Sequence, residues 1–291
     1  MTKKTTNIIN GKLIAEKIKD KVAKEIFELR DNKRPNLAII LVGDRDDSKL
    51  YVDLKEKEAK KVGIDTHIYR CADNTHEPEI FSMIDYLNKD KAIDAILVQL
   101  PLPKNYDTDG IILAIDPRKD VDRFHPDNLE KLLSACNHNK VMPPVFKVVL
   151  EILKEIKFDI KNTKCLLGKK VCVLANSDIF GKSLVNVLSC FGAKAQTHKP
   201  DEKKLSEKTQ KADVLITAVG KAQFIKKDMI KKDAVIIDIG ISREDGKVYG
   251  DVDFDDVKET AGFITPVPGG VGPITIAMLF ENVLELYKRV K

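Results

Sequence analysis

Tyr51 and Lys55 lie four residues apart in a stretch of helical spacing, so both project from one face of that helix. An amine can exchange protons with a ligand, but Lys49, Lys57, Lys60 and Lys61 share the helix, and a lysine on a charged helix is ordinarily solvated. Spacing alone does not select Lys55. Gln99 ends a buried apolar stretch, and Pro101 and Pro103 stop any strand ladder just after it, which places a polar side chain at a strand's carboxyl end. Lys119-Asp120-Val121-Asp122 alone reads as an ordinary acidic loop, and Asp251 in Gly250-Asp251-Val252-Asp253 is similarly ambiguous. Between residues 265 and 275, three prolines and three glycines make stiff main chain with few side chains in the way. Such a segment is either a rigid turn or a wall that a ligand can approach closely. The turn Ala175-Asn176-Ser177-Asp178-Ile179-Phe180-Gly181 precedes a helix whose free amides and positive dipole end suit a phosphate. It carries one glycine where the usual dinucleotide fingerprint has three, and Ser177 or Asp178 also reads as a simple helix cap.

The elements that must hold these groups come in two alternating series. Apolar residues at helical spacing over 13–29 precede a continuous apolar run at 37–43, short enough for a strand buried on both faces. A helix over 48–62 with Ser48 as its cap, a strand at 66–71, a helix at 78–88 and a strand at 93–99 follow. A polar, irregular stretch over 101–139 leads to a helix near 145–157. The second series has strands at 172–175, 193–197, 214–219, 235–239 and 263–264, a helix at 182–191 after the first of them, and an amphipathic helix over 276–290. Strands alternating with helices predict an α/β protein with parallel sheets. The boundaries fall at 1–142, joined by the C-terminal helix 275–291, and at 143–274, the latter a Rossmann-like, doubly wound domain. Two such domains predict a cleft between them as the place for a small-molecule site.

Composition narrows the function. The 291 residues, 43% of them hydrophobic, suffice for two domains of roughly 100–200 residues. Fifty basic against 45 acidic residues leave a net charge of +5, but the signs are interspersed, tryptophan is absent and aromatics make up 6%. A base-stacking nucleic-acid surface is not expected. Cys71, Cys136, Cys165, Cys172 and Cys190 are odd in number and form no Cys-x-x-Cys pair, so they read as reduced intracellular thiols rather than a disulfide framework or a zinc site. His67, His76, His125, His138 and His198 show no ligand spacing, and no metal is expected. Residues 1–7 lack the apolar core of a signal peptide, and no apolar run approaches the roughly 18 residues of a membrane span, which predicts a cytoplasmic protein without membrane association.

Taken in order, Tyr51-Val52-x-x-Lys55, Gly63-Ile64, Gln99-Leu100-Pro101-Leu102-Pro103, Lys119-Asp120-Val121-Asp122, Ala218-Val219-Gly220-Lys221, Ile237-Asp238-Ile239-Gly240-Ile241, Gly250-Asp251-Val252 and the loop at 265–273 resemble the bifunctional methylenetetrahydrofolate dehydrogenase/methenyltetrahydrofolate cyclohydrolase family. The resemblance spans nearly the whole chain. It implies a folate-binding catalytic N-terminal domain, an NAD(P)-binding second domain and two consecutive reactions of one-carbon metabolism. Hydride leaves the methylene carbon of 5,10-methylenetetrahydrofolate for a nicotinamide, and water then opens the 5,10-methenyl product to 10-formyltetrahydrofolate. By the same resemblance Lys55 is the general acid/base and Gln99 is hydrogen-bonded to it and tunes its protonation. Tyr51 orients the folate, Asp122 accepts hydrogen bonds from the pterin, and Leu100, Pro101, Pro268, Gly269, Gly270 and Val271 line the substrate. Ala175, Asn176, Ser177, Ile179 and Gly181 hold the cofactor pyrophosphate, with Lys199, Ala218, Val219, Gly220, Ile241 and Thr275 completing the cofactor site. The implied cofactor is NADP and the implied assembly a homodimer.

Three departures matter. Where the family reads Gly-Arg-Ser, this chain has Ala175-Asn176-Ser177, so the arginine that grips an NADP 2′-phosphate becomes a neutral amide. Lys199 is the candidate substitute, and a weakened NADP preference that admits NAD is expected. The family's Asp-Val-Asp-Gly becomes Asp120-Val121-Asp122-Arg123, where the arginine narrows the folate site, offers a cation to the glutamate tail, or points to solvent. The family's Pro-Cys-Thr-Pro-x-Gly becomes Pro143-Pro144-Val145-Phe146-Lys147-Val148. Two other functions compete: a cyclohydrolase whose dinucleotide domain is only structural, and a folate-binding protein without chemistry. Retention of Lys55 with Gln99 argues against the second.

Overall fold

Buried apolar strands alternating with amphipathic helices form two separate parallel sheets. The computed structural model describes residues 7–29, 33–134, 136, 142–162 and 164–290. Residues 1–6, on which the signal-peptide reading rests, lie outside the described residues. In chain order the elements are β1 (Asn7–Ile8), α1 (Gly11–Phe27), β2 (Asn36–Val42), α2 (Asp46–Val62), β3 (Asp65–Cys71), α3 (Glu77–Lys89), β4 (Ala95–Val98), α4 (Thr108–Ala114), α5 (Pro126–Leu133) and α6 (Pro144–Glu155). There follow β5 (Lys170–Ala175), α7 (Asp178–Cys190), β6 (Lys194–His198), α8 (Leu205–Thr209), β7 (Val214–Ala218), β8 (Val235–Asp238), β9 (Ser242–Glu244), β10 (Lys247–Tyr249), α9 (Phe254–Val257), β11 (Phe263–Ile264) and α10 (Val271–Val290). The chain divides into two compact units, one of residues 16–144 with 276–291, the other of residues 1–15 with 145–275.

The first unit is built on a three-stranded parallel sheet in the order β3-β2-β4. Leu37, Ala38, Ile39 and Ile40 of the central β2 are fully buried, as a strand covered on both faces requires. Ile40 faces Ile80 and Ile84 of α3, and Ile111 of α4, in one core cluster. Burying each such side chain contributes about 1.5–3 kcal/mol. The stretch over 101–139, expected to be irregular, contains α4 and α5. Each short helix starts on its own side-chain cap: Asp107 Oδ1 accepts from Gly110 N at 3.0 Å, and His125 Nδ1 accepts from Asp127 N at 3.2 Å. The cap expected of Ser48 is not made. Helix α2 starts earlier, with Arg45 at its N-cap, and Ser48 is buried in the first turn.

The second unit carries a six-stranded sheet in the order β1-β11-β8-β7-β5-β6, parallel throughout. The N-terminal segment, which the sequence assigns to the first series, pairs with this sheet instead, Asn7 with Phe263 and Ile8 with Ile264. Two residues are too short a strand to read from periodicity. Leu174, Leu215, Ile236 and Ile264 from four strands share one buried cluster with Val257 of α9. The antiparallel pair β9-β10 stands apart from the sheet. Helix α10 starts at Val271, five residues before the expected 276, because Pro273 fits the first turn of a helix where no amide donor is needed.

Cys71, Cys165 and Cys172 are free thiols, as expected. Cys136 and Cys190 are disulfide-bonded, which corrects the reading of five reduced thiols: an odd total without a Cys-x-x-Cys pair does not keep individual cysteines from pairing. No described helix is long and apolar enough to cross a membrane.

Candidate active site

In the first unit, α2 and the end of β4 converge on Lys55. The buried residues of α2 include Ser48, Val52, Ala59 and Val62, and Lys55 falls in the same stripe, three residues after Val52 and four before Ala59. That separates it from Lys49, Lys57, Lys60 and Lys61, and the signal was present in the sequence as a lysine at an apolar position. Lys55 Nζ donates to Gln99 Oε1 at 2.7 Å. Gln99 is fixed in turn: its backbone N donates to Ile40 O at 2.9 Å and its Nε2 to Leu100 O at 2.6 Å. Burial pushes the Lys55 ammonium below the usual lysine value, while the charge of Asp122 pulls it partly back. Burial likewise pushes the Asp122 carboxyl up to about 6; Lys55 opposes that shift and Asp120 adds to it. Tyr51 is half-buried one turn before Lys55 on the same helix, and Leu100 and Pro101 are exposed at the strand end, joined by a cis peptide.

Asp122 is held by a turn that the sequence left as an ordinary acidic loop. Residues 119–121 lie beside β4, with Ile96 N donating to Lys119 O at 2.8 Å and Val121 N to Ile96 O at 3.3 Å. The buried Asp120 carboxylate accepts from Arg123 N at 2.9 Å, His125 N at 3.0 Å and Asn128 Nδ2 at 2.9 Å, so it organises the turn rather than facing a ligand. Lys119 Nζ donates to Leu87 O and Asp90 O, closing the carboxyl end of α3. Arg123 has φ 62°, the left-handed region that favours glycine, which accounts for the family's residue here. The expectation that its side chain points to solvent does not hold. The guanidinium folds inward, 7% exposed, donates from Nη1 to Pro117 O at 2.8 Å, and is pushed by burial down to about 10. Asn282 of α10 was missed: fully buried, it donates from Nδ2 to Val121 O at 2.9 Å and to Met142 O at 3.0 Å, and so fixes the residue before Asp122. Its signal is a lone amide on an apolar helix face.

In the second unit, the turn after β5 opens α7. Ser177 is the cap, its Oγ accepting from Phe180 N at 3.2 Å, and Gly181 N donates to Ser177 O at 3.0 Å. The first-turn amides of Asp178 and Ile179 are left at the helix end, the arrangement a pyrophosphate needs. Gly181 serves packing: a Cβ there would lie 2.3 Å from Thr197 Oγ1 of β6. Asn176 Nδ2 donates to Val219 O at 2.6 Å, tying this turn to the one after β7. Lys199 Nζ is engaged by Asp178 Oδ1 at 2.6 Å and by Asn176 O. Ala218 ends β7, Gly220 has φ 69° with open space where a Cβ would stand, and Ile241 is 42% exposed beyond β8. These groups fit a dinucleotide at the carboxyl ends of the strands.

The Pro/Gly loop belongs to the second unit too. Pro268 is exposed and follows a cis peptide, and Gly269 has φ 104°. Gly270 N donates to Pro266 O at 2.8 Å, and the residue is bare for packing, since a Cβ on it would lie 2.5 Å from Pro266 O and 2.8 Å from Thr265 Cβ. Val271 is buried in the first turn of α10, and Thr275 Oγ1 donates to Val271 O at 3.1 Å.

A half-buried lysine held by an amide in one α/β unit, and a helix-opening turn at the carboxyl end of a strand in a doubly wound unit, suit an enzyme that works with a dinucleotide. Residues 9–122 match the family model described as tetrahydrofolate dehydrogenase/cyclohydrolase, catalytic domain, and residues 143–291 match its NAD(P)-binding domain. The chain is 44% identical over 286 residues to the bifunctional protein FolD of Sulfurihydrogenibium sp., covering 97% of this chain and 98% of that protein. It is similar in structure to the bifunctional enzyme FolD of Campylobacter jejuni, with TM-score 0.91 and 36% identity over 99% of this chain and all of the other. The FolD of Trypanosoma brucei, solved with NADP cofactor and inhibitor, gives TM-score 0.89 at 30% identity over 98% of each chain. The chain belongs to the tetrahydrofolate dehydrogenase/cyclohydrolase family.

Proposed function

We infer that this chain oxidises 5,10-methylenetetrahydrofolate with a nicotinamide dinucleotide and hydrolyses the 5,10-methenyl product to 10-formyltetrahydrofolate. The observation that carries this reading, beside membership of the family, is the Lys55–Gln99 pair at 2.7 Å. A pure binder has no use for an amine with its charge disfavoured by burial. When bound, the nicotinamide accepts the hydride of the first step. In the second, Lys55 takes a proton from the water whose oxygen adds to the methenyl carbon, and returns it to N5 as the bond between that carbon and N5 breaks, while the adduct hydroxyl gives its remaining proton to solvent and becomes the formyl carbonyl. Gln99 holds the amine in place, Tyr51 orients the folate, and Asp122 accepts hydrogen bonds from the pterin. The role of Leu100, Pro101, Pro268, Gly269, Gly270 and Val271 as substrate lining rests on the resemblance.

For the cofactor, Asp178, Ile179 and the neighbouring Ala175, Asn176 and Ser177 hold the pyrophosphate, Gly181 keeps α7 close to β6, and Ala218, Val219, Gly220, Ile241 and Thr275 complete the site. NADP loses its usual advantage over NAD. Asn176 spends its amide on Val219, and Lys199 is already partnered by Asp178, so neither is free to meet a 2′-phosphate. Turnover of methylenetetrahydrofolate with each cofactor tests both points: NAD supports kcat/KM at least equal to that with NADP, and Asp178→Asn, which frees Lys199, shifts the ratio toward NADP about tenfold. A wild type that oxidises the substrate with neither cofactor contradicts the dehydrogenase reading, and one that prefers NADP contradicts the cofactor reading alone. A cytoplasmic homodimer completes the proposal on the resemblance, and light scattering in solution should give the mass of two chains.

A further inference from the structure

The buried carboxylates of the second unit form a chain that the reactions above leave unused. Asp251 is 0% exposed, so it cannot meet a ligand. Its Oδ2 accepts from Thr217 Oγ1 at 2.7 Å and from Val219 N at 2.6 Å, and its Oδ1 from Lys221 N at 3.0 Å. Asp238 sits beside it, its Oδ1 accepting from Gly240 N at 3.0 Å and Asp251 N at 3.1 Å, its Oδ2 from Val252 N at 2.9 Å. Asp238 N donates in turn to Thr265 Oγ1 at 2.8 Å, and Val219 O accepts from Asn176 Nδ2 at 2.6 Å.

The order of these contacts follows the order of the strands. Thr265 follows β11, Asp238 ends β8, Val219 follows β7 and Asn176 follows β5, and β11-β8-β7-β5 are neighbours in the sheet. Four turns at the carboxyl ends of adjacent strands, where a doubly wound sheet binds its ligand, are thus linked through two carboxylates. There is no room for slack. A Cβ on Gly240 would lie 2.1 Å from the Asp251 carboxyl, and one on Gly250 would lie 2.0 Å from Asp238 Oδ2. The turn at 219–221 is held from both sides, its amides by Asp251 and the Val219 carbonyl by Asn176. Its one bare residue, Gly220, is left with φ 69° and open space around it.

We propose that Asp251 is a positioning residue for the nicotinamide dinucleotide: by holding the amides of Val219 and Lys221 it fixes Gly220 beside the Asn176 turn, so cofactor affinity depends on a carboxylate the cofactor never touches. The proposal rests on the dehydrogenase reading but is tested by binding, which needs no turnover. Asp251→Asn keeps the shape and turns one acceptor into an NH2 that opposes an amide donor. NADH and NADPH fluorescence titrations then give dissociation constants raised about tenfold, with the KM for the oxidised cofactor raised alike. Methenyltetrahydrofolate hydrolysis, which uses Lys55 in the other unit, stays within about twofold of wild type.

Unchanged cofactor affinity in folded Asp251→Asn overturns the proposal, and so does a parallel loss of hydrolysis, which would mark a merely structural role. Should that variant not fold, Thr217→Val carries the test, since it removes one buried donor and keeps the volume. An affinity loss of about threefold with hydrolysis intact supports the proposal, and no loss overturns it. Wild-type protein that binds reduced cofactor but does not oxidise methylenetetrahydrofolate would count against the dehydrogenase reading and leave the binding result standing. Wild type that binds neither cofactor would defeat both.

Discussion

Lys55 and Asp122 each lose hydration on burial, which lowers the lysine and raises the carboxyl to about 6, while each charge favours the other. Below about pH 6 Asp122 takes up a proton and ceases to be a carboxylate acceptor. The hydrolysis rate should therefore fall as pH drops through about 6, and in Asp122→Asn that limb should vanish while the limb of Lys55 moves to lower pH, having lost its negative neighbour. An unchanged pH-rate profile in Asp122→Asn would show that the two groups are not coupled. The same shift has a stability consequence. Because the folded-state value lies above the unfolded one, the contribution of Asp122 to stability is fully present below the unfolded value and is lost as pH rises through about 6. Asp122→Asn should then raise stability at pH 8 by on the order of 3 kcal/mol while lowering activity, and denaturant melts at pH 8 and pH 4 would show the gain only at the higher pH. The sequence pointed to Lys55 through its family, yet a physical mark was there as well, a lysine inside the apolar stripe of α2. Asp120 was not legible. Adjacent aspartates look alike on paper, and only the fold shows that one ties a turn while the other is presented by it.

At the scale of elements, long apolar runs were readable and short capped pieces were not. The strand at 37–43 and the helix at 48–62 appear within two residues of their expected bounds, because burial on both faces and an uninterrupted stripe leave little choice. Helices α4 and α5 were hidden in a polar stretch, since single side-chain caps rather than periodicity start them. The pairing of β1 with β11 is a contact between chain ends that no local pattern encodes. Two substitutions test the elements that carry the site. Ile40→Ala in β2 removes a fully buried side chain from the core under Gln99 and should cost about 2–5 kcal/mol, measured by denaturant unfolding. Gly181→Ala forces a methyl against Thr197 of β6, which must part α7 from the sheet. It should destabilise by about 1–3 kcal/mol and weaken NADH binding, and Thr197→Ala in the same chain should return part of the loss. If Gly181→Ala binds and unfolds like wild type, Gly181 is not the packing residue described above.

Across the whole molecule, the proposed function puts the hydrolytic Lys55 and the cofactor turns in different units of the chain. Lys55, Gln99 and Asp122 belong to residues 16–144, the turns at 176, 219 and 240 to residues 145–275, and each set has its own parallel sheet and its own core. On that reading the two activities should be separable by mutation. The family could be read from scattered short motifs, most of which lie at the ends of strands or helices, with Tyr51 and Lys55 inside α2 as the exception. What the motifs could not convey was the fate of the departures, since an arginine in place of glycine at 123 and an asparagine in place of arginine at 176 each found a partner that only three dimensions supply. The central claim is that Lys55 is the acid/base group of hydrolysis. The most direct measurement follows methenyltetrahydrofolate hydrolysis by wild type and Lys55→Ala, with NADH binding as the control on folding. The predicted result is a loss of about 10²–10⁴-fold in the hydrolysis rate with NADH affinity unchanged. Hydrolysis surviving undiminished in a folded, NADH-binding Lys55→Ala protein would contradict it.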